Sequence, residues 1–279
     1  MTGAESNSDR NPDSNPDWNP DWNPDQYRQF AAERAQPFHD LLALIEPASS
    51  VRAVDLGCGP GELTVLAAEL VDAAQMVGID NSPAMLASAS ACVRPGVWFE
   101  AGDLAQWTSA ADIDLVIASA SLQWVPDHAS VLRRWSRALA PGGQLAVQVP
   151  ANACMPSHLV VDELAHSPKY LDVFEGVPPP DPVAQNVLEP EQYAQLLFEL
   201  GFLRQHVRLQ VYPHVLTSSR DVVQWVRGTT LTRFQKRMAP AMFEQFVADY
   251  EAALISTIGD HAPYFFPFRR ILMWGRLPG

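Results

Sequence analysis

A chain of 279 residues with a net charge of −13 is long enough for one α/β domain with an insertion and an ample core. Its acidity argues against a nucleic-acid partner, whose phosphates are bound through Lys and Arg. Lysine is confined to Lys169 and Lys236, three cysteines without C-x-x-C spacing fit a reducing cytoplasm, and no apolar run approaches membrane-spanning length.

The chain opens on a tetrad repeat, Asn11-Pro-Asp-Ser, Asn15-Pro-Asp-Trp, Asn19-Pro-Asp-Trp, Asn23-Pro-Asp-Gln. Proline at every fourth residue forbids a helix and leaves little to bury, so residues 1–21 are expected to be a disordered tail. From Asp25 the spacing turns helical: Tyr27, Phe30, Ala31 and Arg34 share a face. Pro37 is expected to end or kink that run, and Phe38, Leu41, Leu42 and Ile45 carry an amphipathic helix on toward Pro47.

Val51–Leu56 reads as a first strand, followed by Gly57-Cys-Gly59-Pro-Gly61 and a helix over Leu63–Val71. Glycines there let bare backbone approach a ligand. Glu62 stands where a dinucleotide fingerprint needs its third Gly, and Glu62-Leu63 lacks the Lys-Ser/Thr of a P-loop. A second strand, Met76–Ile79, ends at Asp80, and Ser82 caps a helix over Pro83–Cys92. Val97–Phe99 leads to Gly102-Asp103-Leu104, and Asp112–Ala118 is apolar enough to be buried on both faces. A helix over Asp127–Ala140 stops at Pro141-Gly-Gly143, and Gln144–Val149 is a fifth strand. Alternation of this kind predicts an open, doubly wound sheet with helices on both faces.

Beyond Pro150 the pattern loosens. Helices are expected over His158–Ala165, Glu191–Leu200, Ser219–Arg227 and Ala239–Ile258, with a loop at Pro178–Pro182 and strands at Phe202–Tyr212 and Phe265–Trp274. Helices between the last two strands suggest a lid over the sheet's carboxyl edge, where open α/β sheets bind ligands. The divisions are 1–21, a tail; 22–212, a cover helix and the ligand-binding core; 213–262, the lid; and 263–279, a final strand. Neither H-E-x-x-H nor G-x-S-x-G occurs.

Asp55-x-Gly57-x-Gly59-x-Gly61 resembles the S-adenosylmethionine loop of class I methyltransferases. Asp21-Trp-Asn-Pro24, Tyr27, Phe30–Arg34, Gly78–Met85, Ala120–Trp124 and Pro126-Asp-His128 are together similar to the trans-aconitate 2-methyltransferase family. The likeness runs from Trp22 to about Pro150 and continues more faintly through Asn152, His158, Gln224–Val226 and Phe266–Arg269; Arg227–Arg233 follows the family only loosely. It implies a Rossmann-like fold of seven mostly parallel strands with a helical lid, and S-adenosylmethionine as cofactor. It also implies a small carboxylic acid as substrate, with no nucleic acid, membrane or metal and with a monomer favoured.

On the same basis the cofactor residues are Asp55, Gly57, Gly59, Gly61, Asp80, Asn81, Met85, Asp103, Leu104 and Ser119. Asp80 would take the ribose hydroxyls, or else only cap the next helix. Asp103 would take the adenine amino group, with Leu104 lending a backbone donor, or else be an ordinary loop residue. Met85 would lie on the adenine face or simply in the core. Gln123 and Trp124 would wall the transfer site, or Trp124 would be core.

Trp22, Tyr27, Arg34, His158, Arg227, Arg233 and Arg269 are further acceptor candidates; Arg34 could equally hold the cofactor's carboxylate. The surface reading is stronger for Arg237, Arg270 and Arg276, and His128 serves a helix start. No catalytic base is expected, because a carboxylate acceptor is ionised at neutral pH. Two alternatives stay open: a methyltransferase for a hydroxyl or ring carbon, and a non-catalytic S-adenosylmethionine-binding module.

Overall fold

The computed structural model describes residues 31–279, with side chains from residue 35 onward. The repeat tail, Trp22, Tyr27, the start of the first helix and the side chain of Arg34 lie outside those residues.

The first described helix, α1 (Ala31–Leu42), carries Pro37 in its interior rather than ending there. A proline removes one backbone bond; here Phe38, Leu41 and Leu42 are buried in the core just beyond it and hold the helix in place. The core follows as β1 (Val51–Leu56), α2 (Glu62–Leu70), β2 (Ala73–Asp80), α3 (Pro83–Ala89), β3 (Val97–Ala101), β4 (Ile113–Ser119), α4 (His128–Ala138) and β5 (Leu139–Pro150). The expected elements appear with shifted ends: β2 starts three residues before Met76, and α3 gives way to a 3₁₀ turn at Ser90–Cys92.

The seven strands lie in the order β3-β2-β1-β4-β5-β7-β6, with β7 (Tyr264–Arg276) antiparallel to both β5 and β6 (Arg204–Leu216) and the other pairs parallel. Chain order reverses between β1 and β4, which opens a crevice beyond their carboxyl ends. Along β4 the side chains alternate between two cores. Leu115 and Ile117 join the one that includes Phe38 and Ala67, and Val116 and Ala118 join the one that includes Trp135 and Tyr193. That is why the strand reads as nearly all apolar.

β6 and β7 are longer than the sequence suggests, pairing from Arg204↔Arg276 to Leu216↔Tyr264. Pro213 does not end β6, because it faces Pro267 where β7 has run past the reach of β5 and both strands are sheet edges. Between them, residues 217–263 form α9 (Asp221–Arg227), α10 (Thr232–Gln235) and α11 (Pro240–Ile258). A second insertion after β5 forms α5 (Pro156–Ala165), α6 (Pro168–Leu171) and α7 (Pro182–Asn186), after which α8 (Pro190–Glu199) returns to the sheet. α6 and α7 lie in stretches where the sequence reading places no helix, and the expected loop is present up to Asp181. Tyr250 Oη donates to the Ser157 carbonyl at 2.8 Å and Tyr170 Oη to Asp249 at 2.7 Å, so the two insertions make one cover. Among the described residues no helix is long and apolar enough to cross a membrane.

Candidate active site

The turn after β1 is drawn onto β2: Gly57 N donates to the Ile79 carbonyl at 2.7 Å and Cys58 N to the same oxygen at 3.1 Å. Its three glycines do different work. A Cβ on Gly57 would stand 2.2 Å from Ser121 Cβ, and one on Gly61 would stand 2.7 Å from the Phe99 ring, so both are small for packing. Gly59, at φ +57°, would meet nothing within 4 Å. Its bare backbone faces open space, as a site for a closely approaching ligand requires.

Beside Gly59 lies Asp80 at the end of β2. Its Oδ2 accepts from Gly59 N at 2.9 Å and its Oδ1 from Ser82 N at 2.8 Å. Burial pushes this carboxyl above its ordinary range, against those backbone bonds. Capping is left to Ser82, whose hydroxyl accepts from Met85 N. Asp55 is placed otherwise. It is 3% exposed and turned inward, accepting from Thr64 Oγ1 at 2.6 Å. Burial raises it to about 6, only partly offset by that bond. Asp55 thus ties β1 to the first turn of α2 and holds the glycine turn from behind; Thr64, its partner, went unnoticed in the sequence.

Gly57, Gly59, Asp80, Asn81, Met85, Asp103, Leu104 and Ser119 line one cleft of about 660 Å³ over the strand ends, together with Trp124. Asp55 and Gly61 do not reach it. Asp103 is exposed at the rim with Oδ1 accepting from Ala105 N at 2.8 Å, and Met85 is buried in the wall. These residues fit a nucleoside: apolar Ile79, Met85 and Leu104 for a ring, carboxylate oxygens for hydroxyl and amino donors, and an open backbone at Gly59.

A second, smaller chamber of about 90 Å³ shares Ser119, Ala120, Trp124 and Pro182 with the cleft. The acceptor candidates Gln123, His158 and Arg233 line it, and so does Arg270, which the sequence reading sets aside as surface. Gln123 Nε2 donates to the Ala120 carbonyl at 2.7 Å, which leaves its Oε1 buried without a hydrogen-bond partner. His158 is buried between Ser157 Oγ and Thr230 Oγ1, each at 3.1 Å, and burial lowers its pKa. Arg227 and Arg269 stand away from the lining. Arg227 pairs with Glu244, and the Arg269 guanidinium reaches Cys154 Sγ at 2.9 Å. His128 is the first residue of α4, capped by Asp127, and is buried between Tyr193 Oη and the Leu122 carbonyl.

A family described as "Methyltransferase domain" matches residues 53–143, which run from β1 into β5. The chain is 40% identical over 254 residues to the trans-aconitate 2-methyltransferase of Streptomyces avermitilis, covering 88% of this chain and 93% of that one. It is 35% identical to the enzyme of that name from Mycobacterium tuberculosis, covering 91% and 95%. Among solved structures, a putative methyltransferase from Bacillus halodurans superposes with a TM-score of 0.56 at 16% identity, covering 88% of this chain and all of that one. Phosphoethanolamine N-methyltransferase 2 of Haemonchus contortus, solved with S-adenosylhomocysteine, gives 0.53 at 17% identity, covering 88% and 53%. These two likenesses speak for the fold.

Proposed function

The chain belongs to the trans-aconitate 2-methyltransferase family, and from that premise we propose that it methylates a carboxylate of trans-aconitate or a closely related di- or tricarboxylic acid. The products are the monomethyl ester and S-adenosylhomocysteine. The observation that carries this reading is the pair of adjoining chambers: a large cleft that suits a nucleoside, and a small one lined by two buried arginines, with a common wall at Ser119, Ala120 and Trp124.

When bound, S-adenosylmethionine supplies a methyl group on a sulfonium sulfur, open to in-line attack by an oxygen anion. Asp80 is the residue assigned to the ribose hydroxyls; Gly59 N and Ser82 N keep its two oxygens aimed. Met85 and Leu104 are assigned to the adenine ring and Asp103 to its amino group. Acidic acceptors titrate near pH 4, so the acceptor arrives as an anion and no residue has to take its proton. That agrees with a chamber whose histidine is tied on both ring nitrogens and kept neutral by burial. The remaining work is alignment and exclusion of water. Holding reactants in near-attack geometry removes about 7–11 kcal/mol of barrier, and a small chamber lined by buried side chains replaces part of the carboxylate's hydration shell.

Three cysteines without C-x-x-C spacing support a reducing cytoplasm as the compartment. The test is incubation with methyl-labelled S-adenosylmethionine and a panel of acids, alcohols and amines. A base-labile ester on trans-aconitate, formed one for one with S-adenosylhomocysteine, is expected. Faster transfer to a neutral acceptor would reassign the enzyme to another nucleophile, and cofactor binding without transfer to any acceptor would make it a binding module.

A further inference from the structure

The smaller chamber is charged from two sides. Arg233 comes down from α10 in the cover, with its side chain 2% exposed. It lies over the Phe234 ring at 4.6 Å and donates through Nη2 to Asp162 of α5 at 2.5 Å. Its Nε and Nη1 are buried and have no hydrogen-bond partner. Arg270 comes up from β7 in the sheet, also buried, over the Phe268 ring at 5.0 Å, with Nη1 donating to Gln148 Oε1 at 2.9 Å. Both guanidiniums line the same space. A buried polar group without a partner is costly, and a buried cation more so; donors left in that state on a chamber wall are suited to an anion brought in from outside.

Gln123 Oε1 has no hydrogen-bond partner, but Asp181, His158 and Ser119 on the same wall are spoken for. Asp181 Oδ1 accepts from Val183 N at the start of α7, and His158 is held by Ser157 and Thr230. Ser119 Oγ accepts from Gln148 Nε2 at 2.9 Å. Asp162 pairs with Arg233 through Nη2 alone, so its other donors still face the chamber.

Resting on the carboxylate reading above, we propose that Arg233 and Arg270 are the specificity-determining pair: each holds one non-reacting carboxylate of the acceptor, and a third carboxylate is left facing the Ser119–Ala120 wall. One arginine belongs to the cover and the other to the sheet, so the acid is read from opposite sides and a tricarboxylate engages both. A dicarboxylate makes only one of the two guanidinium contacts. A charge-assisted hydrogen bond lost in this way corresponds to about a ten- to hundredfold drop in kcat/KM.

The experiment crosses residue against substrate. R233Q and R270Q are assayed on trans-aconitate and on the two of mesaconate, cis-glutaconate and itaconate (trans-aconitate less each carboxylate in turn) that retain the carboxylate found esterified in the trans-aconitate product. Wild type should prefer trans-aconitate at least tenfold. Each variant should lose that preference against one of the two dicarboxylates and keep it against the other, with the opposite choice for the two variants and the loss falling mainly on KM. S-adenosylhomocysteine affinity, measured by calorimetry, should be unchanged. If both variants fall by the same factor on all three acids, the arginines support the fold and the inference is overturned. If wild type esterifies none of the acids, the carboxylate reading itself has failed. Should either Gln variant lose S-adenosylhomocysteine binding through misfolding, R233K and R270K keep the charge and carry the same cross; equal factors on all three acids there overturn it too.

Discussion

At the scale of single residues, the molecule separates side chains that adjoin in sequence. Arg269 and Arg270 are neighbours on β7, and a strand sends neighbours to opposite faces. The first reaches Cys154 away from the chamber, and the second reaches Gln148 inside it. Nothing in the sequence tells which of the two points inward, because that depends on the strand's register with β5 and β6; for this reason Arg270 was not legible. The place of Asp80 in the cleft was, since the family resemblance puts an acidic residue at the end of the second strand and the structure brings it into the lining. Asp80→Ala removes an acceptor pair already aimed by backbone donors. It is predicted to weaken S-adenosylhomocysteine about ten- to hundredfold, the value of one charge-assisted bond or slightly more, with little change in melting temperature. Calorimetry decides this, and unchanged affinity would remove Asp80 from the cofactor site.

Elements were legible where periodicity is strong. The β1–α2–β2 rhythm, the apolar run of β4 and the long helix α11 all declare themselves. α6 and α7 did not, because Pro168, Pro178, Pro179, Pro180 and Pro182 look like breakers. Yet Asp181-Pro182 is a helix start in itself, with a capping carboxylate and proline at the first position, and the structure uses it so. A similar junction sets the acid stability of the fold. His128 Nε2 donates to the Leu122 carbonyl at 2.9 Å, and Nδ1 accepts from Tyr193 Oη on α8 at 2.6 Å, so the ring joins three elements in its neutral form. Burial lowers its pKa to about 4 from an ordinary 6.5. Below pH 6.5 the unfolded imidazole takes up a proton that the folded one refuses until about pH 4. Stability therefore falls as pH drops through that window, by about 2 kcal/mol by pH 5 and about 3 kcal/mol at full extent. His128→Asn should be destabilising at pH 7.5 and clearly less so at pH 5 in urea titrations. An equal deficit at both pH values would contradict the neutral, buried assignment.

Across the whole molecule, fold and site belong to different parts of the sequence. The five parallel strands and their cofactor edge come from one continuous stretch, residues 51–150, whose motifs lie close together and read directly. The acceptor chamber is assembled from β4, β5, β7 and two insertions, so its lining is scattered from Leu63 to Arg270 and emerges only when α5 and α11 pack together. The net charge of −13 makes that assembly necessary: an anionic acid is repelled at long range and is held only where local guanidiniums are shielded from solvent. The most direct test is a crystal structure with S-adenosylhomocysteine and trans-aconitate bound together. Ribose against Asp80, sulfur beside the Ser119–Trp124 wall and the acid between Arg233 and Arg270 is the predicted result. An acid bound outside the smaller chamber, or a cleft that takes a nicotinamide in place of the thioether nucleoside, would contradict the account.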